Sequence, residues 1–199
     1  MRFRLFLTAI CVGLTMFSGA AQAGHIYLLR GFANVFSTGL DTLQEKLEKR
    51  GYTATVHNYL FYDSLAEEAA KLEKEGKGPI IIIGHSLGAN DAISMAERMK
   101  ELKAKVALVV LFGPTEDMKA PSNVARVINY YQSGVTVGKG KGFTGSLSNV
   151  NLDSDADINH FNIEKSDRLH SKVIAQIAAI EGKAPAHGEQ SAKQSDKSQ

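Results

Sequence analysis

The residues in this chain best suited to chemistry are Gly84-His85-Ser86-Leu87-Gly88. A serine set between two glycines in the pattern G-x-S-x-G suits a nucleophile carried on a sharp strand-to-helix turn. The flanks supply both halves of that turn. Pro79-Ile80-Ile81-Ile82-Ile83 is apolar and β-branched and reads as a buried strand, and Ala89 to Met99 reads as a helix. Gly84 and Gly88 carry no Cβ, so strand and helix can pass closely on either side of Ser86. The hydroxyl would then stand clear of the sheet's C-terminal edge. The backbone N–H of Leu87, at the helix start, would face an oxyanion formed there.

A serine attacks a carbonyl only if a base takes its proton, and a neutral histidine is the usual base. His25 opens the first strand, His57 lies within the second, and His187 falls in a polar tail. His85 belongs to the turn, where its side chain is expected to pack without reaching the serine. His170 lies inside the last helix, off its apolar stripe, and is expected at the surface. His160 sits between the last strand and the last helix, at the edge where the turn opens, in the chain order serine-then-histidine. It is the expected base. A second oxyanion donor should come from the loop after the first strand, where Gly31 allows a close approach and the N–H of Phe32 is in place. Arg30 reads as a surface charge or an ion-pair partner.

The elements that must position these groups alternate along the chain. His25–Arg30 is an apolar strand, and Leu40–Arg50 is a helix with Leu40, Leu43 and Leu47 on one face, stopped at Gly51. Tyr52–Tyr59 reads as a strand. A helix capped by Asp63 or Ser64 follows, with Leu65, Ala69 and Leu72 inward. After the serine turn come strands at Lys105–Phe112, Val124–Gln132 and Leu147–Leu152, then a helix at Ser166–Ile180. Gly113–Pro121 reads as a loop, Gly134–Gly145 as a flexible loop or distorted hairpin, and Asp153–Asn162 as a polar loop. Continuous apolar strands alternating with amphipathic helices predict an α/β fold, a mostly parallel sheet of about six strands covered on both faces.

At 199 residues one domain is expected. Residues 1–23 read as a signal peptide: basic Met1-Arg2-Phe3-Arg4, an apolar run from Leu5 to Phe17, and Ala21-Gln22-Ala23 as an A-x-A cleavage site. The apolar run is shorter than the ~20 residues a membrane span needs. The folded domain is then 24–181, with 182–199 a disordered polar tail. Without the leader the formal charge falls from +2 to zero, and the only cysteine, Cys11, is lost. That balance favours neither nucleic acid nor a basic-surface partner. No H-E-x-x-H spacing or cysteine cluster implies a metal, and no cofactor is expected.

The Arg30-Gly31 loop, the GHSLG turn and Asn159-His160-Phe161-Asn162-Ile163 together resemble the α/β-hydrolase superfamily, in particular its small esterase, lipase and thioesterase-like members. The resemblance covers nearly all of Gly24–Ile180. It implies Ser86 as nucleophile, His160 as base, and Phe32 and Leu87 as oxyanion donors. Many members carry His-Gly where this chain has Arg30-Gly31, and the usual leading hairpin is missing, so this is a minimal version. Members usually place the triad acid after the strand that here is Val124–Gln132, but no Asp or Glu follows until Asp153. Some place it one strand earlier, which makes Asp117 the leading candidate. Asp153, Asp155, Asp157 and Glu116 are the others, and an incomplete triad with no acid is the remaining alternative.

These readings lead to an expected function: a secreted or periplasmic serine hydrolase acting on a carboxylic ester or thioester, small or lipid, through an acyl-enzyme on Ser86. The alternatives are an envelope protein that keeps the fold as a weak or inactive binding module, and a serine peptidase using the same groups.

Overall fold

The computed structural model describes residues 24–32 and 37–182. The segment read as a leader, residues 1–23, and 183–199 of the polar tail lie outside the described residues.

The strands are β1 (His25–Arg30), β2 (Thr53–Asn58), β3 (Ile80–His85), β4 (Leu108–Phe112), β5 (Met118–Ala120), β6 (Arg126–Tyr131), β7 (Val137–Lys139) and β8 (Ser146–Asn151). The helices are α1 (Gly39–Glu48), α2 (Tyr62–Lys74), α3 (Leu87–Glu101) and α4 (Asp167–Ile180). Six strands form one parallel sheet in the order β2-β1-β3-β4-β6-β8, so the expected sheet is present and β3 lies inside it.

Side chains of a strand alternate between faces, and here each face has its own core. Tyr27, Leu29, Ile80, Ile82, Val109, Leu111 and Val127 pack with α2 and α3 on one side. Ile26, Leu28, Ile81, Ile83, Leu108, Val110 and Phe112 pack with α1 and α4 on the other. Every residue of β3 is buried. Burial of a large aliphatic side chain contributes roughly 1.5–3 kcal/mol, so Ile80–Ile83 fix the strand that ends at Ser86.

Several local expectations are revised. A 3-10 turn at Tyr59–Phe61, in which the Asn58 side chain accepts the Leu60 N–H, leads into α2, so neither Asp63 nor Ser64 caps that helix. The stretches read as a loop (Gly113–Pro121) and a flexible loop or hairpin (Gly134–Gly145) contribute β5 and β7, which pair in parallel as a separate two-stranded sheet. Asn149 of β8 clamps both backbone groups of Val137, accepting its N–H and donating to its carbonyl, each at 2.9 Å. A polar side chain thus does what an apolar period cannot announce. Gly51 ends the α1 turn at φ +80°, a conformation cheap only for glycine, and the Ser166 side chain caps α4.

Candidate active site

Ser86 stands between β3 and α3 at φ 57°, ψ −124°, a strained conformation for a residue with a Cβ and one that recurs where a side chain must be aimed. Its N–H donates to Phe112 of β4 at 3.0 Å. The glycines permit the strain. A Cβ on Gly84 would lie 2.0 Å from the Gly88 carbonyl oxygen, and a Cβ on Gly88 would lie 2.2 Å from that of Leu29. Gly84 thus lets α3 close on its own strand, whereas Gly88 lets α3 close on β1. Gly31 is confined less tightly: a Cβ there would sit 2.9 Å from both the His85 carbonyl oxygen and the Ser86 Cβ. That approach sets the backbone of the loop after β1 against the serine turn. Leu87 opens α3, where the first N–H groups have no partner within the helix.

His160 reaches the same point from the loop between β8 and α4. Its Nε2 lies 3.0 Å from Ser86 Oγ, within the reach a nucleophile and its base require. Burial pushes its pKa below the usual histidine value, which keeps the imidazole neutral and able to take a proton near pH 7. The ring's other nitrogen, Nδ1, faces Gly113, at φ +57°, where a Cβ would come within 3.1 Å.

The structure does not bring Asp117 to that nitrogen. The Asp117 carboxylate accepts the Thr136 N–H at 2.7 Å, bracing the turn into β7, and Asn90 of α3 pins the same loop through both backbone and hydroxyl of Thr115. Asp153 lines a cleft of about 540 Å³ together with His160, but its carboxylate accepts the Ser133 N–H at 2.7 Å. Asp155 pairs with Arg168. The Asp157 carbonyl accepts from Asn162, and Glu116 accepts from Asn90 at 3.3 Å. Among the described residues, no carboxylate hydrogen-bonds the His160 ring.

Three features go beyond the sequence reading, the first being the hydrogen-bond partners of His85, whose packing away from the serine matches expectation. His85 is 2% exposed, with Nδ1 2.8 Å from Ser37 Oγ and Nε2 2.9 Å from the His160 carbonyl oxygen. His170, expected at the surface, is fully buried; its Nε2 lies 2.6 Å from the Glu164 carbonyl oxygen and its Nδ1 3.2 Å from Lys46 Nζ. Those partners come from beyond its own helix, so helical phase alone could not show them. Glu164 is also fully buried, and desolvation raises its carboxyl pKa to about 7. Arg30 forms an ion pair with Asp41 of α1, as one of its two readings held. His25 lies in β1, and His57 lies in β2 with its Nε2 2.8 Å from Thr55 Oγ1.

Phe32, Leu60, Phe61 and Phe161 are the large apolar side chains left exposed among the described residues, at 67%, 66%, 59% and 64%. Phe32 and Leu60 lie two residues past the paired positions Arg30 and Asn58, and Phe161 follows His160. Phe32, Leu60 and Phe61 thus follow the C-terminal ends of β1 and β2, and the Phe161 ring meets the His160 ring edge-on at 5.5 Å between centroids.

Among the described residues no group of three or more His, Cys, Asp or Glu side chains is placed to hold a metal, and no helix is long and apolar enough to cross a membrane. No family model matches the sequence, and no curated protein matches it. Solved structures do. Human thioesterase 2 superposes with a TM-score of 0.56 at 13% identity, over 81% of this chain and 99% of its own. RedJ, a thioesterase from the prodiginine biosynthetic pathway in Streptomyces coelicolor, gives 0.53 at 13% identity, over 79% and 87%. At this identity the likenesses show the fold alone: with its six-stranded parallel sheet and helices on both faces, the chain has a minimal α/β-hydrolase fold.

Proposed function

We propose that this protein is a serine hydrolase that cleaves a carboxylic ester or thioester through an acyl-enzyme on Ser86. The observation that carries the reading is the 3.0 Å approach of His160 Nε2 to the hydroxyl of a serine held at φ 57°. Ser86 Oγ attacks the acyl carbon while His160 Nε2 takes its proton. The carbonyl oxygen becomes an oxyanion that accepts from the N–H groups of Phe32 and Leu87. The tetrahedral intermediate collapses, the bond to the alcohol or thiol breaks, and the imidazolium returns the proton to that leaving group. Water then attacks the acyl-serine, again giving a proton to His160, and the acid leaves as Ser86 recovers its hydrogen.

The pair works without an acid on the imidazole ring, and Asp117 has its own task beside Thr136. The exposed Phe161, whose ring meets that of His160, suits an apolar acyl group at the serine, and the thioesterase likenesses fit acyl substrates. The basic, apolar and small-residue segments of residues 1–23 support export to the periplasm or beyond.

The test is hydrolysis of p-nitrophenyl esters of graded chain length by the mature protein beside Ser86→Ala. Turnover in the wild type that vanishes in the variant, and that improves from acetyl toward longer chains, supports the reading. Equal rates in the two proteins overturn it. A folded wild-type protein inert toward every ester and thioester would instead favour the binding module.

A further inference from the structure

His85 touches neither the serine hydroxyl nor any reacting atom, yet it joins three segments that must stay in register. Its hydrogen bonds have a defined direction. The His160 carbonyl oxygen can only accept, so His85 Nε2 carries the proton and donates across 2.9 Å. Its Nδ1 is then an acceptor and takes the Ser37 hydroxyl proton across 2.8 Å. The Ser37 oxygen in turn accepts the Gly31 N–H at 3.0 Å. Ser37 is fully buried and His85 nearly so, so solvent does not compete for these bonds. The chain of bonds starts at the residue before Phe32, passes through the neighbour of Ser86, and ends on the backbone of His160.

We propose that His85 is the positioning residue of this site: it holds His160 against Ser86 through the His160 backbone carbonyl, while Ser37 fixes the His85 tautomer that can donate. This inference rests on the hydrolase reading above for its catalytic consequence. A triad acid orients its histidine through the ring; here the ring has no such partner among the described residues, and orientation comes through the main chain. The groups facing His85 are consistent with a neutral imidazole. Glu164 Oε2 lies 3.8 Å from Nε2, with its carboxyl favoured in the protonated form by burial. The His160 ring lies 5.4 Å away, centroid to centroid, and Lys165 disfavours a second positive charge.

Glutamine and asparagine separate positioning from mere packing, because a Gln amide nitrogen can occupy the place of Nε2 and an Asn nitrogen that of Nδ1. His85→Gln is expected to keep kcat within about 3-fold of wild type, whereas His85→Asn loses up to about 100-fold in kcat with KM little changed, the scale of a small misplacement at a reacting centre. Both are to be compared at matched folded fraction by circular dichroism. A second arm needs no turnover. Long-range proton–nitrogen NMR is expected to find His85 as the Nε2–H tautomer across pH 5.5–8, and to find that tautomer depleted in Ser37→Ala. Equal kcat in the Gln and Asn variants, or an Nδ1–H tautomer in the wild type, overturns the proposal. Failure of the hydrolase reading shows separately, as Ser86→Ala matching wild type, and the tautomer arm still decides whether His85 makes its bond.

Discussion

Between β3 and α3 the chain turns on residues adjacent in sequence, and each supports the next: isoleucines bury the strand, Gly84 lies against Gly88, and Ser86 bonds back to β4. The loop that carries His160 is built differently. Asn159, Asn162 and Asp155 close short polar turns within it, but what sets its place comes from afar: His85 on the His160 carbonyl and Gln132 on the Ile158 carbonyl. One half of the site is thus stabilised by local steric fit and the other by long-range hydrogen bonds. The first should fail abruptly when a methyl group is added, and the second gradually as single bonds are removed.

The largest effect is expected at the junction of the two halves. Removing the base in His160→Ala should lower kcat by up to about 10⁶-fold, the full-triad loss being the upper bound for a site without an acid on the ring, read in steady-state ester hydrolysis. On the local side, Gly84→Ala places a methyl group 2.0 Å from a backbone oxygen. It should destabilise the fold by about 3 kcal/mol or more, read as a denaturation midpoint; a loss below about 1 kcal/mol would mean the turn is less tightly determined than its contacts imply.

The long-range side has a pH signature. The His85 pKa is lowered by burial to about 4, and that of Glu164 is raised by burial to about 7. The histidine's stability contribution is fully present above pH 6.5 and lost as pH falls through 4. The cost of ionising the carboxyl is absent below 4.5 and complete once pH has risen past 7. Each amounts to roughly 3 kcal/mol by linkage, and between pH 4.5 and 6.5 their slopes oppose. These two contributions should therefore largely cancel across that window, and Glu164→Gln should gain stability with pH more steeply than wild type, measured by urea unfolding. Equal slopes in the two proteins would break the pairing. The base itself should show a kcat/KM limb falling only below pH 6.5, since burial lowers the His160 pKa. A midpoint at or above 7 would reveal a carboxylate acting on the ring. The smallest effect belongs to Asp117→Asn, which trades one acceptor for Thr136 for another and should leave kcat within about 3-fold. A loss near the 10⁴-fold of a triad acid would restore Asp117 to the site.

What was legible in the sequence follows the same division. Ile80–Gly88 announces strand, turn and helix because every determinant is contiguous, and the sheet follows from apolar runs alternating with helical periods. The placement of His160 beside Ser86 was accessible through chain order. The burial of His170 was hidden because Lys46 and the Glu164 carbonyl lie outside its helix. The link from Ser37 to His85 was hidden because a lone serine in a loop carries no period. Asp117 stood one strand's reach from the histidine in topology, yet the pairing of β5 with β7 turns that loop toward Thr136.

The most direct measurement is to treat the folded mature protein with a fluorophosphonate and map the adduct by mass spectrometry. The account predicts a single adduct on Ser86, formed in wild type and lost in His160→Ala. An adduct at another residue, no adduct on folded wild type, or undiminished labelling without the imidazole would contradict it.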